Sequence, residues 1–190
     1  METFAIYLSF SINFNKIMNI AIVGSTGNVG RKILEVLEKK ELAIDNLYLL
    51  ASSRSAGSKI IFNRKDHEVI DLETFDFSKA KITFFAAGGT ISENFAEVAA
   101  KHSLVIDNSS FYRMDPDVPL IVPQVNSDHL NNIKKNIIAN PNCSTAQLVI
   151  ALKPLHDLFN IKRIVVSTYQ SVSGGGKAPM DELIEQTKQV

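Results

Sequence analysis

The sequence has one cysteine in 190 residues, so it has no means of making an internal disulfide or a cysteine-rich metal site. It has no excess charge either: 20 basic side chains are matched by 20 acidic ones, and the formal net charge is zero. That balance excludes the broad basic footprint of a nucleic-acid binder, although a local phosphate site needs only one or two charges. The histidines, His67, His102, His129 and His156, have no metal-site spacing with the cysteine. No internal repeat or low-complexity tract occurs. The apolar start METFAIYLSFSINF lacks a basic leading region and a small-residue cleavage site, and it is too short to span a membrane. Residues 1–17 read as an appendage, with an extra edge strand as the alternative. The chain as a whole is 45% apolar and 21% charged, the composition of a soluble folded core. The length suits one substantial domain, or one domain and part of another. A lone cysteine fits a reducing, cytoplasmic compartment.

Apolar periodicity gives the organisation. Asn19–Val23 reads as a buried strand, 24–30 as a glycine-rich turn, and the segment through about Lys40 as a helix. Further strands are expected at NLYLLAS (46–52), KIIF, HEVIDL, KITFFAAGG (81–89) and SLVIDNS (103–109). PLIVPQVN (119–126) and NIIANPN (136–142) read as shorter extended segments. A helix is expected from Ser92 to Lys101, with Ser92 as its N-cap. This alternation predicts an α/β fold, a Rossmann-like mostly parallel sheet with helices on both faces. Polar and glycine residues gather after the strand ends, where open α/β sheets bind ligands. Beyond the cysteine the character changes: a helix, a strand RIVVSTYQ, a glycine-rich turn and a helix from about Ala178. The expected division is an appendage over 1–17, a nucleotide-binding domain over 18–140, and the opening of a truncated α+β catalytic domain over 141–190.

The first motif is GSTGNVG, Gly24 to Gly30, between a strand and an amphipathic helix. Glycines there allow a tight turn, close approach to a pyrophosphate and close helix–sheet packing. Glycine triplets alone are weak evidence, but the strand–turn–helix context is the required one. A classical NAD site places an acid at the end of the second strand. This chain has Ala51-Ser52-Ser53-Arg54-Ser55 instead, which favours NADP, since arginine pairs with a 2′-phosphate and a carboxylate repels it. Arg54 is otherwise an ordinary loop charge.

Cys143 follows Pro141-Asn142 and opens a helical pattern. A helix N-terminus favours a thiolate, and a thiolate there suits attack on a carbonyl. A lone cysteine is also a common core residue, and spacing does not decide between the two. Arg113, with Asn108, Ser109 and Ser110, is a candidate cradle for a phosphate or carboxylate. Gln170, ahead of Ser173 and Gly174, is a candidate for orienting a substrate oxygen. His156, thirteen residues beyond Cys143, stands roughly 20 Å away along a continuous helix and is no direct partner for it.

These strings together resemble the N-terminal part of aspartate-semialdehyde dehydrogenase. GSTGNVG, ASSRSAG, FFAAGG, DNSSFYRMDPDVPLIVPQVN, NPNCST and TYQSVSGGG occur in that family's order, from Met18 to about Leu183. The discriminating string is NPNCST; the related acyl-phosphate reductase of arginine biosynthesis surrounds its cysteine differently. The resemblance implies that Gly24, Thr26, Gly27, Asn28 and Val29 hold NADP phosphates. It implies that Ser52, Arg54 and Ser55 face the 2′-phosphate, that Gly88 and Gly89 line the groove, and that Ser173 and Gly174 lie near the nicotinamide. Arg113 and Asn108 would bind phosphate, Cys143 would accept the acyl group, and Gln170 would orient it. The implied reaction reduces aspartyl phosphate to the semialdehyde, for diaminopimelate, lysine, threonine and methionine synthesis.

The resemblance departs in two places. The family's VPEVN reads VPQVN here, with Gln124. Family members are also much longer than this chain. Their general-base histidine, the arginine for the substrate carboxylate and most of the dimer surface come later. A homodimer is the full-length expectation, and a second-half polypeptide could complete this chain. The alternative is a non-catalytic NADP-binding remnant or one half of a split enzyme.

Overall fold

Strand β1 (Asn19–Val23) shows how the sheet is covered. Its side chains alternate between two cores. Ile20 and Ile22 join one apolar cluster and Ala21 and Val23 the other, as the two-residue period of a strand dictates. The computed structural model describes residues 18–189; the expectations for residues 1–17 lie outside the described residues.

Helix α1 (Asn28–Lys39) packs Ile33, Leu34 and Leu37 on the Ile20–Ile22 side. Helix α2 (Gly89–Ala100) packs Ala96, Ala99 and Ala100 on the Ala21–Val23 side. The strands are β2 (Asn46–Ala51), β3 (Lys59–Phe62), β4 (Lys65–Asp71), β5 (Ile82–Phe85), β6 (Leu104–Asp107) and β7 (Ile137–Ala139). Their order across the sheet is β3-β4-β2-β1-β5-β6-β7. Every pairing is parallel except the β3–β4 hairpin. From β1 the chain steps one way to β2, and from β5 it steps the other way to β6. Right-handed crossovers in opposite directions put their helices on opposite faces, which is why α1 and α2 use different cores. The reversal between β1 and β5 makes a switch point at their carboxyl ends, where the glycine turns lie.

Three local expectations are corrected. Ser92 does not cap a helix: α2 begins earlier, at Gly89, and Ser92 is buried within it. PLIVPQVN is extended only as far as Val122. It makes a single bridge from Leu120 to Ala139 and then a short helix, α3 (Pro123–Asn126). Pro123 has the fixed φ that favours a first helical position, and the Asn126 side chain closes the turn by accepting from the Val122 N–H at 2.9 Å. RIVVSTYQ is the third: residues 160–171 form no strand. β-branched residues favour extension, but a strand also needs a neighbour to pair with, and none is present among the described residues.

The chain divides into two compact units, one ending at Pro141 and the other beginning at Asn142. The second holds helix α4 (Cys143–Phe159), a 3-10 turn at Val172–Gly175 and helix α5 (Lys177–Lys188). None of its helices buries a residue fully.

Candidate active site

In the first unit the glycine turn is built by close approach. Gly24 has a φ of +81°, and a Cβ there would stand 2.8 Å from the Ala86 backbone. A Cβ on Gly30 would stand 2.2 Å from the Gly24 carbonyl oxygen. No side chain fits at either point, so α1 starts directly against the end of β1. The turn is held by N–H groups of Gly24 and Ser25, which donate to the Leu50 carbonyl at 2.8 and 3.1 Å. Gly27 N–H donates to Gly24 O at 3.0 Å. Gly27 is the N-cap of α1, no side chain caps that helix, and its first turn carries no acid. Thr26 is half-buried, whereas Gly27, Asn28 and Val29 are exposed.

Gly88 and Gly89 stand at the end of β5, beside that turn in sheet order. Gly88 is the N-cap of α2, again without a side-chain cap or an acid in the first turn. A Cβ on Gly88 would meet nothing within 4 Å, and one on Gly89 only the Ser110 hydroxyl at 3.9 Å. Among the described residues nothing covers the carboxyl edge at this point. After β2, Ser52 and Arg54 are exposed and Ser55 is half-buried. Their loop is closed by Ser55 N–H to Ser52 O at 2.8 Å and by the Ser58 hydroxyl to Ser55 O at 2.6 Å. The acid in register beside Ala51 is Asp71, which accepts the Glu73 N–H of its own turn.

The polar residues after β6 and β7 form one network. Arg113 Nε donates to Asn140 O at 3.0 Å, and one terminal nitrogen donates to Asn108 O at 3.1 Å. Asn140 Nδ2 donates to Asn108 Oδ1 at 2.6 Å. The expected Ser109–Ser110 cradle is corrected in part. Ser109 is buried, and its hydroxyl donates inward to Asp107 Oδ2 at 2.7 Å instead of facing a ligand. Asp107 and Asn140 were missed as candidates. The signal was a carboxylate ending an otherwise apolar strand, where a charge requires partners. Gln124 lies exposed on α3.

In the second unit Cys143 is exposed and is the first residue of α4. Asn142 is its N-cap: Oδ1 accepts the Ser144 N–H at 3.0 Å, with the Ser144 hydroxyl at 2.5 Å and Cys143 Sγ at 3.9 Å. The helix runs unbroken to Phe159, so His156 keeps its separation from Cys143. Gln170 lies on the unpaired segment, with its amide nitrogen where a Cβ of Gly174 would be only 2.1 Å away. The Ser171 and Ser173 hydroxyls pair at 2.5 Å, so Gln170, Ser173 and Gly174 share one tight turn. Among the described residues no cluster of acids, histidine and cysteine is disposed to hold a metal. No helix among them is long and apolar enough to cross a membrane.

Comparison with known proteins gives the same chemistry a family. Residues 19–133 match the semialdehyde dehydrogenase NAD-binding domain, and residues 152–190 its dimerisation domain. Aspartate-semialdehyde dehydrogenase 2 of Vibrio cholerae is 52% identical over 171 residues, which cover 89% of this chain and 51% of that protein. The enzyme of Shewanella sp. strain DB6705 is 50% identical over 170 residues, 88% of this chain and 50% of the relative. A crystal structure of aspartate semialdehyde dehydrogenase II from Vibrio cholerae, complexed with ASA, superposes with a TM-score of 0.88 at 49% identity. It covers 92% of this chain and 52% of that one. The Candida albicans enzyme, solved with NADP, gives 0.66 at 28% identity over 77% of this chain and 48% of its own. The chain thus spans about half the length of the curated relatives it matches. By its matched nucleotide-binding domain, the chain belongs to the semialdehyde dehydrogenase family.

Proposed function

We propose that the chain is the nucleotide-binding part of an aspartate-semialdehyde dehydrogenase. That enzyme is an NADP-dependent oxidoreductase reducing L-aspartyl 4-phosphate to L-aspartate 4-semialdehyde and phosphate. The observation that carries this reading is the exposed Cys143 at the head of a capped helix in a chain of this family.

A dinucleotide fits the residues present. Two helices start at glycine N-caps beside the switch point, without side-chain caps or first-turn acids to oppose an anion. Gly24, Thr26, Gly27, Asn28 and Val29 would hold the phosphates, with Gly88 and Gly89 opening the groove. Arg54, between Ser52 and Ser55, would take the 2′-phosphate, since Asp71 at the neighbouring strand end is committed to its own turn. When bound, NADPH supplies the hydride that reduces the acyl group. Ser173 and Gly174 would face its nicotinamide.

Cys143 Sγ attacks the acyl-phosphate carbonyl carbon. A C–S bond forms, the C–O bond to phosphate breaks, and phosphate leaves. Arg113 and Asn108 receive that phosphate, and Gln170 orients the acyl oxygen. After reduction the C–S bond breaks, the aldehyde is released and the thiolate is restored. Asn142 already takes the Ser144 N–H, so oxyanion stabilisation falls to other first-turn amides. The dimerisation-domain match supports a homodimer of the whole protein, and a thiol nucleophile suits the cytoplasm.

The test is phosphate-dependent reduction of NADP⁺ with aspartate semialdehyde. It is run on the 190-residue chain alone and mixed with a polypeptide spanning the rest of the family's length. Turnover that requires phosphate and vanishes in Cys143→Ala supports the reading. Turnover surviving that substitution, or failure to bind NADP⁺, overturns it.

A further inference from the structure

Asp107 is fully buried, the last residue of β6. A buried carboxylate costs several kcal/mol unless donors compensate it. Here Oδ1 accepts from the Ser92 hydroxyl at 2.7 Å and the Ser109 N–H at 3.0 Å, and Oδ2 accepts from the Ser109 hydroxyl at 2.7 Å. The Ser109 hydroxyl in turn accepts the Phe111 N–H at 3.1 Å. Phe111 opens the 3-10 turn Phe111–Met114, which carries Arg113.

Asn108 lies between Asp107 and Ser109, so the same bonds fix its carbonyl, and that carbonyl holds the Arg113 terminal nitrogen. The other seat, Asn140 O, is fixed to the same strand end, because Asn140 N–H donates to Asp107 O at 2.8 Å. Nε and one terminal nitrogen of Arg113 are thus anchored, and the remaining terminal nitrogen has no partner among the described residues. A planar guanidinium held along one edge has its orientation set.

We propose that Asp107 is a positioning residue for Arg113, acting through Ser109 to hold the anion-binding guanidinium on the carbonyls of Asn108 and Asn140. The carboxylate does not touch the anion. It turns a flexible post-strand loop into a rigid mount, with Ser92 tying that mount to α2. The assignment of an anion to Arg113 rests on the function proposed above; the mounting does not.

Two readouts on the 190-residue chain separate these. The first is solvent exchange of the Arg113 Nε–H, read by proton–nitrogen NMR and assigned with Arg113→Lys. The second is titration with inorganic phosphate, followed by phosphorus NMR. Asp107→Asn is the direct variant. Ser109→Ala is the milder one, because it leaves the buried carboxylate two donors. Ser109→Thr restores the hydroxyl. In Ser109→Ala the exchange rate should rise about tenfold, and phosphate affinity should fall by about the same factor. NADP⁺ affinity should not change, and Ser109→Thr should recover both losses. Exchange and phosphate affinity that stay at wild-type values in folded Ser109→Ala and Asp107→Asn overturn the positioning role. Faster exchange with phosphate binding indifferent to Arg113→Lys upholds the mounting and overturns the anion assignment.

Discussion

Gly30 and Cys143 set opposite kinds of residue-scale constraint. At Gly30 any side chain meets the Gly24 carbonyl at 2.2 Å, so Gly30→Ala should destabilise the first unit by about 3 kcal/mol, at the upper end of overpacking costs. Urea unfolding measures it, and an unchanged midpoint would show that α1 can shift without cost. Cys143 has space and exposure instead. Its thiol should react stoichiometrically with a disulfide reagent in the native protein, at a rate that denaturant barely raises. A thiol unreactive until unfolding would contradict the exposed placement. Asn142→Ala removes the cap of α4 and should cost about 1 kcal/mol, with Asn142→Asp retaining most of it. The glycine turn was legible in the sequence because a strand before it and a helix after it leave few conformations. The Asp107 network was only half legible: Ser109 lies two residues beyond Asp107, but Ser92 is brought to the carboxylate by the α2 crossover and not by spacing.

At the scale of elements, the 3-10 turn Phe111–Met114 packs Tyr112 into the core that α2 covers. Burial first, and the carboxylates of Glu97, Asp107, Asp115 and Glu93 after it, push the Tyr112 phenol from 10.0 up to about 12. The folded state therefore holds that proton more tightly than the unfolded chain does. The contribution is fully present below about 10 and is lost as pH rises toward the folded value. Stability should fall across that alkaline window, and Tyr112→Phe should flatten the fall. An identical alkaline limb in both proteins would remove Tyr112 as its source. The parallel strands were legible because each is a short apolar run between turn signals. RIVVSTYQ has the same local character and yet forms no ladder. Composition states what a strand prefers, and pairing is a property of its neighbours.

At the scale of the molecule, the two units differ in how well they cover themselves. The first encloses an apolar cluster on each side of its sheet and a smaller one around Ile121 and Ile138. In the second, Val165 is 80% and Tyr169 100% exposed, and Leu158, Phe159, Ile164 and Val166 are exposed with them. An apolar surface of that kind favours association. The 190-residue chain should bind anilinonaphthalene sulfonate strongly, and Val165→Lys with Tyr169→Lys should weaken that binding without changing the melting of the first unit. Dye binding indifferent to both substitutions would place the apolar surface elsewhere. The fold was readable in the first unit, where local signals and sheet topology agree, and the family from strings in both units, NPNCST above all. The second unit yielded its helices but not its packing.

The mount of Arg113 has a consequence for how such a site changes over generations. Both acceptors are main-chain carbonyls, Asn108 O and Asn140 O, and no single codon change deletes a carbonyl. Mutational drift can remove the guanidinium itself or loosen the loop beneath it, but it cannot strip the seat. Lineages in which Arg113 itself is replaced should therefore keep its two acceptors, and one substitution back to arginine would find that seat waiting.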